Sequence, residues 1–175
     1  MTQAIAKVRG LPTATVACSY GAAVLTLTGL TQDGHLGDAM YGVMSMILMA
    51  FPLSLVGGSL YGTLQQLFYD KKHEDPTYGM DYPYGLDHFL MAWPGIVTAI
   101  VLAFLLAWRR TRAAGRVTGW FLAVAVIVVG VTTTFDGWGP RRPYGWPFLV
   151  YGLIMITGLA AVRRPAMDKT VTRNA

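Results

Sequence analysis

Residues 39–69 read AMYGVMSMILMAFPLSLVGGSLYGTLQQLFY, 31 residues without an acid, a base or a histidine. A helix crossing the hydrocarbon core of a bilayer needs about 20 mostly apolar residues. A helix over 39–64 would run roughly 39 Å at 1.5 Å per residue, enough to cross with a tilt. Pro52 lies inside it and removes one backbone donor, so a kink is expected there. Four more uncharged stretches occupy residues 11–30, 89–108, 117–135 and 143–162, and every charged residue and all three histidines fall outside the five. A bilayer enforces that segregation, because a charge at its centre costs several kcal/mol.

The expectation is an all-α integral membrane protein, a single transmembrane domain over 1–175. Its five spans fall near 11–30, 39–64, 89–108, 118–135 and 146–162, with an extracytoplasmic connecting loop at 65–88. Four spans plus one non-spanning segment is the alternative. Composition agrees: 54% of residues are hydrophobic and 13% charged, against about 25% charged in an ordinary soluble domain. A disordered chain, a coiled coil and a nucleic-acid-binding domain are excluded, since the net charge of +5 is spread around apolar runs. A single cysteine, Cys18, excludes a disulfide framework and a Cys-rich zinc site.

The first stretch is the most polar, with Thr13, Thr15, Ser19, Thr26 and Thr28. Lys7 and Arg9 before it have the look of a signal-peptide n-region, but the apolar run is broken by polar residues and no clean small-x-small cleavage site stands out, so a retained span is preferred over a cleaved signal or a re-entrant segment. In a five-span chain, one face receives the N-terminal tail, 70–88 and 136–142, with six basic and six acidic residues. The other receives 31–38, 109–116 and the C-terminal tail, with eight basic and three acidic. The positive-inside rule puts the second face, and the C-terminus, in the cytoplasm. Lys7 and Arg9 pull the N-terminus to the same side, a conflict that four spans would remove. Arg outnumbers Lys ten to four, and a bacterial plasma membrane is the expected home.

Small residues let helix backbones approach inside a membrane, where burial of apolar surface drives little. Ala50, Ser54, Gly58 and Gly62 recur every four residues in the second stretch, and Gly95, Ala99, Ala103 and Ala107 in the third. A tight hairpin between those two spans is expected, with an oligomer interface as the other use of the stripes.

No uncharged stretch contains an ionisable side chain other than tyrosines and Cys18. Pumps, secondary transporters and intramembrane acid–base enzymes ordinarily need one. Charged residues gather instead at span ends. Asp87, His88, Asp136, Arg141 and Arg142 are the candidates for a headgroup-level enzyme, a carboxylate orienting an imidazole base and two arginines holding an anion. The simpler reading is interfacial charges anchoring helix ends. His35 between Asp33 and Asp38 is a loose set of metal-ligand types without a known ligand pattern, and neither metal nor cofactor is expected. Tyr78, Tyr82 and Tyr84 lie in a Gly/Pro-rich aromatic loop whose composition suits protein contact. No phosphate loop, dinucleotide fingerprint or nucleophile elbow occurs. The favoured function is a non-catalytic accessory or binding subunit that contacts another membrane protein, or itself as a homo-oligomer, through that loop. An oligomeric neutral-solute channel and a membrane-interface enzyme using Asp87 and His88 are the alternatives.

Overall fold

The computed structural model describes residues 2–70, 86–108 and 110–162, with side-chain detail for 11–38, 40–60, 63, 91–108 and 110–162. These residues form six α-helices: α1 Thr2–Gln32, α2 Ala39–Met49, α3 Leu53–Asp70, α4 Leu86–Ala107, α5 Arg112–Thr134 and α6 Trp146–Val162. A 3₁₀ turn, Gly139–Gly145, precedes α6. No strand occurs among the described residues. Among the described residues, three helical stretches are long and apolar enough to cross a membrane: Leu11–Gln32, Arg112–Thr134 and Gly139–Val162. The chain is therefore an all-helical, membrane-embedded protein.

The first helix is the centre of the bundle and packs on α6, α4 and α2. Val16, Tyr20, Ala23, Val24 and Leu27 lie on one face of it and are fully buried or nearly so. They meet Leu102 and Leu106 of α4, Leu122, Val126 and Val129 of α5, and Phe148, Met155 and Leu159 of α6 in one core. Such packing is the main adhesive available to helices in lipid. Thr26 adds a polar link to α6, its hydroxyl 3.3 Å from that of Tyr151.

The expected single helix over 39–64 is two helices. Pro52 has no N–H to continue the ladder, so α2 stops at Met49 and α3 begins at Leu53. The Ser54 hydroxyl donates to the Ile47 carbonyl at 3.0 Å. Residues seven apart in a straight helix lie about 10 Å from each other, so the chain bends sharply. Contacts along α1 give the new direction. Gly42 lies on Thr31, near the end of α1. Met49 has descended to Tyr20, midway along the uncharged part of α1, and its carbonyl accepts from the Tyr20 hydroxyl at 2.8 Å. Gly57 then lies on Pro94 of α4, whose neighbour Gly95 lies on Val24. Gly57 is thus nearer the C-terminal end of α1 than Met49 is. The segment enters from that end, reverses midway and heads back.

This reversal corrects two expectations. Residues 31–38 sit at the same end of the bundle as 136–145, where the five-span scheme separated them across the membrane. The stripe at Ala50, Ser54, Gly58 and Gly62 does not form one face, because the break falls inside it. Ala50 and Ser54 are buried, Gly58 is exposed, and side-chain detail at Gly62 lies outside the described residues. Of the third-span stripe, Gly95 and Ala99 pack against Val24 and Gly21 of α1, while Ala103 is half-buried and Ala107 exposed. The expected partner was the second span. Both stripes were read at the right spacing, but the close contacts are made by Gly57 to α4 and by Gly95 to α1.

Two substitutions test this packing. A methyl group at Gly57 would stand 2.5 Å from Pro94 Cγ, whereas one at Gly58 would meet nothing within 4 Å. Gly57→Ala is expected to cost about 1–3 kcal/mol by overpacking, and Gly58→Ala to be neutral or stabilising, since alanine favours helix. Denaturation midpoints in mild detergent compare them. Equal midpoints would mean that α3 does not pack on α4. Tyr20→Phe should cost about 1 kcal/mol, because the Met49 carbonyl loses its partner where no water replaces it.

Candidate functional site

Polar chemistry collects where the α1–α2 loop meets the α5–α6 connection. The first helix ends in a glycine-dependent motif: Gly34 is at φ +70°, its N–H bonds Thr31 O at 3.3 Å, and His35 N–H bonds Leu30 O at 3.0 Å. That pair of bonds caps a helix C-terminus and needs the left-handed conformation glycine tolerates. The Asp38 carboxylate then caps α2, accepting from Met40 N at 2.8 Å. Between them Leu36 turns into the core.

Arg141 locks this loop to the other connection. Its Nε donates to Leu36 O at 2.7 Å, and one terminal nitrogen donates to Asp136 Oδ2 at 2.6 Å. Its guanidinium lies 4.0 Å from the Tyr41 ring centroid and 5.3 Å from the Trp138 ring. Only arginine offers several donors in one plane with faces that stack on aromatics. Its side chain is 11% exposed and that of Asp136 is 28%, so the pair is shielded more than a surface ion pair. Tyr41 is fixed in turn, its hydroxyl 3.1 Å and 3.0 Å from the Thr132 and Thr133 hydroxyls. Both threonines already donate to carbonyls one turn back, so the single Tyr41 hydroxyl proton is given to Thr132, with Thr133 close beside it. Arg142 Nε donates to the Asp136 carbonyl at 3.0 Å.

Trp138 packs across Gly37, where φ is +71° and any Cβ would collide with the indole ring. His35 presents its ring edge-on to Tyr144, centroids 5.1 Å apart at 85°, with Nδ1 3.2 Å from the Asp33 carbonyl. His35 thus faces Tyr144 and the Asp33 backbone while the Asp38 carboxylate is taken up by Met40 N–H, so the three do not act together as a ligand set. No group of three metal-ligand side chains occurs among the described residues.

Of the sequence candidates, the fold brings Asp136, Arg141 and Arg142 together and engages them with each other and with backbone carbonyls. Asp87 and His88 lie in the first turn of α4, and their side chains are outside the described residues, as are Tyr78, Tyr82 and Tyr84 altogether. Sequence reasoning missed Leu36, Tyr41 and Gly37. Arg141 and Leu36 are 105 positions apart, and only the Gly34/Gly37 pair flanking His35 hinted at an ordered turn. The assembly is a clamp: Arg141, paired with Asp136 and bonded to the Leu36 carbonyl, holds two helical elbows together.

Comparison of the chain with protein-family models, with curated proteins and with solved structures gives no match.

Removing Arg141 strands Asp136 and the Leu36 carbonyl together. Arg141→Ala should lower stability in detergent by about 2–3 kcal/mol. Arg141→Lys should recover less than half of the loss, because an ammonium cannot reach a carbonyl and a carboxylate while stacking on two rings. Full recovery by lysine would reduce the clamp to simple charge pairing. Gly37→Ala should cost more than Gly34→Ala, since both share the strained φ and only Gly37 adds the indole collision.

Proposed function

We propose that this chain is a non-catalytic binding subunit of a plasma-membrane complex, with four spanning helices and one hairpin that enters and leaves by the same face. The observation that carries the reading is the exposed turn at Phe51–Pro52. Phe51 is 47% exposed, and the turn lies at the depth of Tyr20. Non-helical backbone within the hydrocarbon is tolerated only when protein or a water-filled cavity covers it. Tyr20 and Ser54 cover its inner side. A partner covering its outer side completes it, together with Met44, Ile47, Leu48, Leu55 and Val56, which are also exposed. The aromatic segment with Tyr78, Tyr82 and Tyr84, between α3 and α4 in sequence, is proposed as a further contact with that partner.

Charge supports the four-span arrangement. With α1, α4, α5 and α6 spanning, both termini and the α4–α5 turn share one face, which carries ten basic residues and one acid, Asp168. The face of the clamp carries four basic residues and eight acids. The first face is cytoplasmic by the positive-inside rule, and the pull of Lys7 and Arg9 becomes consistent with the rest.

The neutral-solute channel is the second reading, favoured by the same turn, because a ring of copies can cover it with water instead of protein. The enzyme reading is weakened by the mutual engagement of Asp136 and Arg141.

The tests separate these. Reporter fusions at both termini should report a cytoplasmic location, and a cysteine at Gly137, in a Cys18→Ser background, should be labelled from outside intact cells. Opposite locations for the two termini would refute the hairpin topology. A photo-crosslinker at Phe51 should give one protein adduct, and one at lipid-facing Val124 should give only lipid. Tyr82→Ala with Tyr84→Ala should weaken that partner about thirtyfold, the loss of roughly 2 kcal/mol expected of an aromatic anchor. Lipid adducts alone at Phe51 would end the binding reading. Water-soluble thiol reagents reaching a cysteine at position 51, with solute flux in proteoliposomes, would put the channel first.

A further inference from the structure

At the opposite end of the bundle, Phe104, Ala107, Trp108 and Arg110 line an open-sided notch of about 540 Å³ beside the α4–α5 turn. We propose that this notch binds the phosphate-bearing headgroup of an anionic phospholipid, an inference that rests on reading this end as cytoplasmic. The turn satisfies its own backbone with other residues. The Thr111 hydroxyl donates to Leu105 O at 3.1 Å, and Arg112 Nε to Leu106 O at 3.3 Å. Arg110 makes no hydrogen bond or ion pair among the described residues and lies at the rim of the notch. A guanidinium matches a phosphodiester with paired donors.

The walls fit the rest of a lipid. The Phe104 and Trp108 rings meet edge-to-face, centroids 4.9 Å apart. Both residues are exposed, as is Ala107. Trp108 directly follows α4, at the headgroup level where indole rings settle, and Phe104 stands one turn deeper, where an acyl chain begins. Arg109, Arg110, Arg112 and Arg116 crowd the turn with no acid nearby in sequence. Anionic lipids concentrate in the cytoplasmic leaflet and are drawn to such clusters. Positive charge, an unengaged arginine and an interfacial aromatic wall thus converge on one occupant.

The test is native mass spectrometry of the full chain in mild detergent, titrated with phosphatidylglycerol or phosphatidylcholine. Phosphatidylglycerol should bind in preference, and Arg110→Ala should weaken it about fivefold, the factor for one basic contact at an anionic surface. Arg110→Lys should retain an intermediate affinity. Excess inorganic phosphate should not displace the lipid, because it lacks the chain that Phe104 and Ala107 hold. Equal binding of the two lipids, an unchanged Arg110→Ala, or displacement by phosphate would overturn the site. Arg110 is exposed in a turn, so its variants fold. Sidedness is read separately, by thiol labelling of a cysteine at position 110 in intact cells. Labelling from outside, with lipid preference retained, would overturn the sidedness and leave the site standing.

Discussion

A backbone amide or carbonyl inside a bilayer has no water to fall back on, and this chain meets that constraint most severely at residues 46–55. A helix satisfies its own polar groups until it stops, and α2 stops at the middle depth of the bundle. The exposed carbonyls are then answered one at a time. Ala50 N–H takes Met46 O, the Ser54 hydroxyl takes Ile47 O, the Tyr20 hydroxyl takes Met49 O, and Ser54 N–H takes Ala50 O. Two of these four partners are side chains, one from α3 and one from α1. The direction of α3, and with it the end at which α4 begins, follows from the turn they stabilise.

The clamp at the loop end makes that turn mechanically sensible. A hairpin that only half enters the bundle is held by fewer contacts than a full span, so its entry point has to be fixed independently. Arg141 does this by tying Leu36, just before α2, to Asp136, just after α5. Tyr41 in the first turn of α2 stacks on the same guanidinium and bonds to α5. The charges sit where the bundle ends, so an ion pair that would be costly at mid-depth is placed where partial solvation remains. The two positive-φ glycines allow the loop to turn tightly enough to present the Leu36 carbonyl.

The sequence was legible where chemistry is local. Segregated charge announced the helices and their membrane setting, and Pro52 announced a kink where the structure has a break. Whether the break bends or reverses the chain was not legible. A run of 31 uncharged residues is long enough to cross once or to enter and return, and hydropathy is blind to the difference. The small-residue stripe failed for a different reason. Ser54, Gly58 and Gly62 keep their four-residue register within α3, but spacing alone does not say which side of that helix meets a neighbour, and the contact belongs to Gly57. Asp136, Arg141 and Arg142 stood out as a charged group, but their main partner is a carbonyl with no side-chain signature, contributed by a distant loop.

Charge distribution is the one sequence signal that senses the reversal at long range. Adding or removing a crossing between residues 39 and 70 moves the N-terminal tail and residues 31–38 to the other face relative to everything downstream. Under five crossings, Lys7 and Arg9 share a face with the acidic segment 70–88. Under the proposed hairpin they join the other arginines, while Asp33 and Asp38 join the acids. Packing between α1 and α4 depends on side-chain shape, whereas loop charge acts during insertion through the positive-inside bias. These are independent physical inputs, and both favour the same parity. A change that straightened α2 into α3 would therefore meet two separate penalties: it would leave the Leu48 carbonyl facing Pro52, which has no N–H to give, and it would set the charge of the first helix against that of the last three.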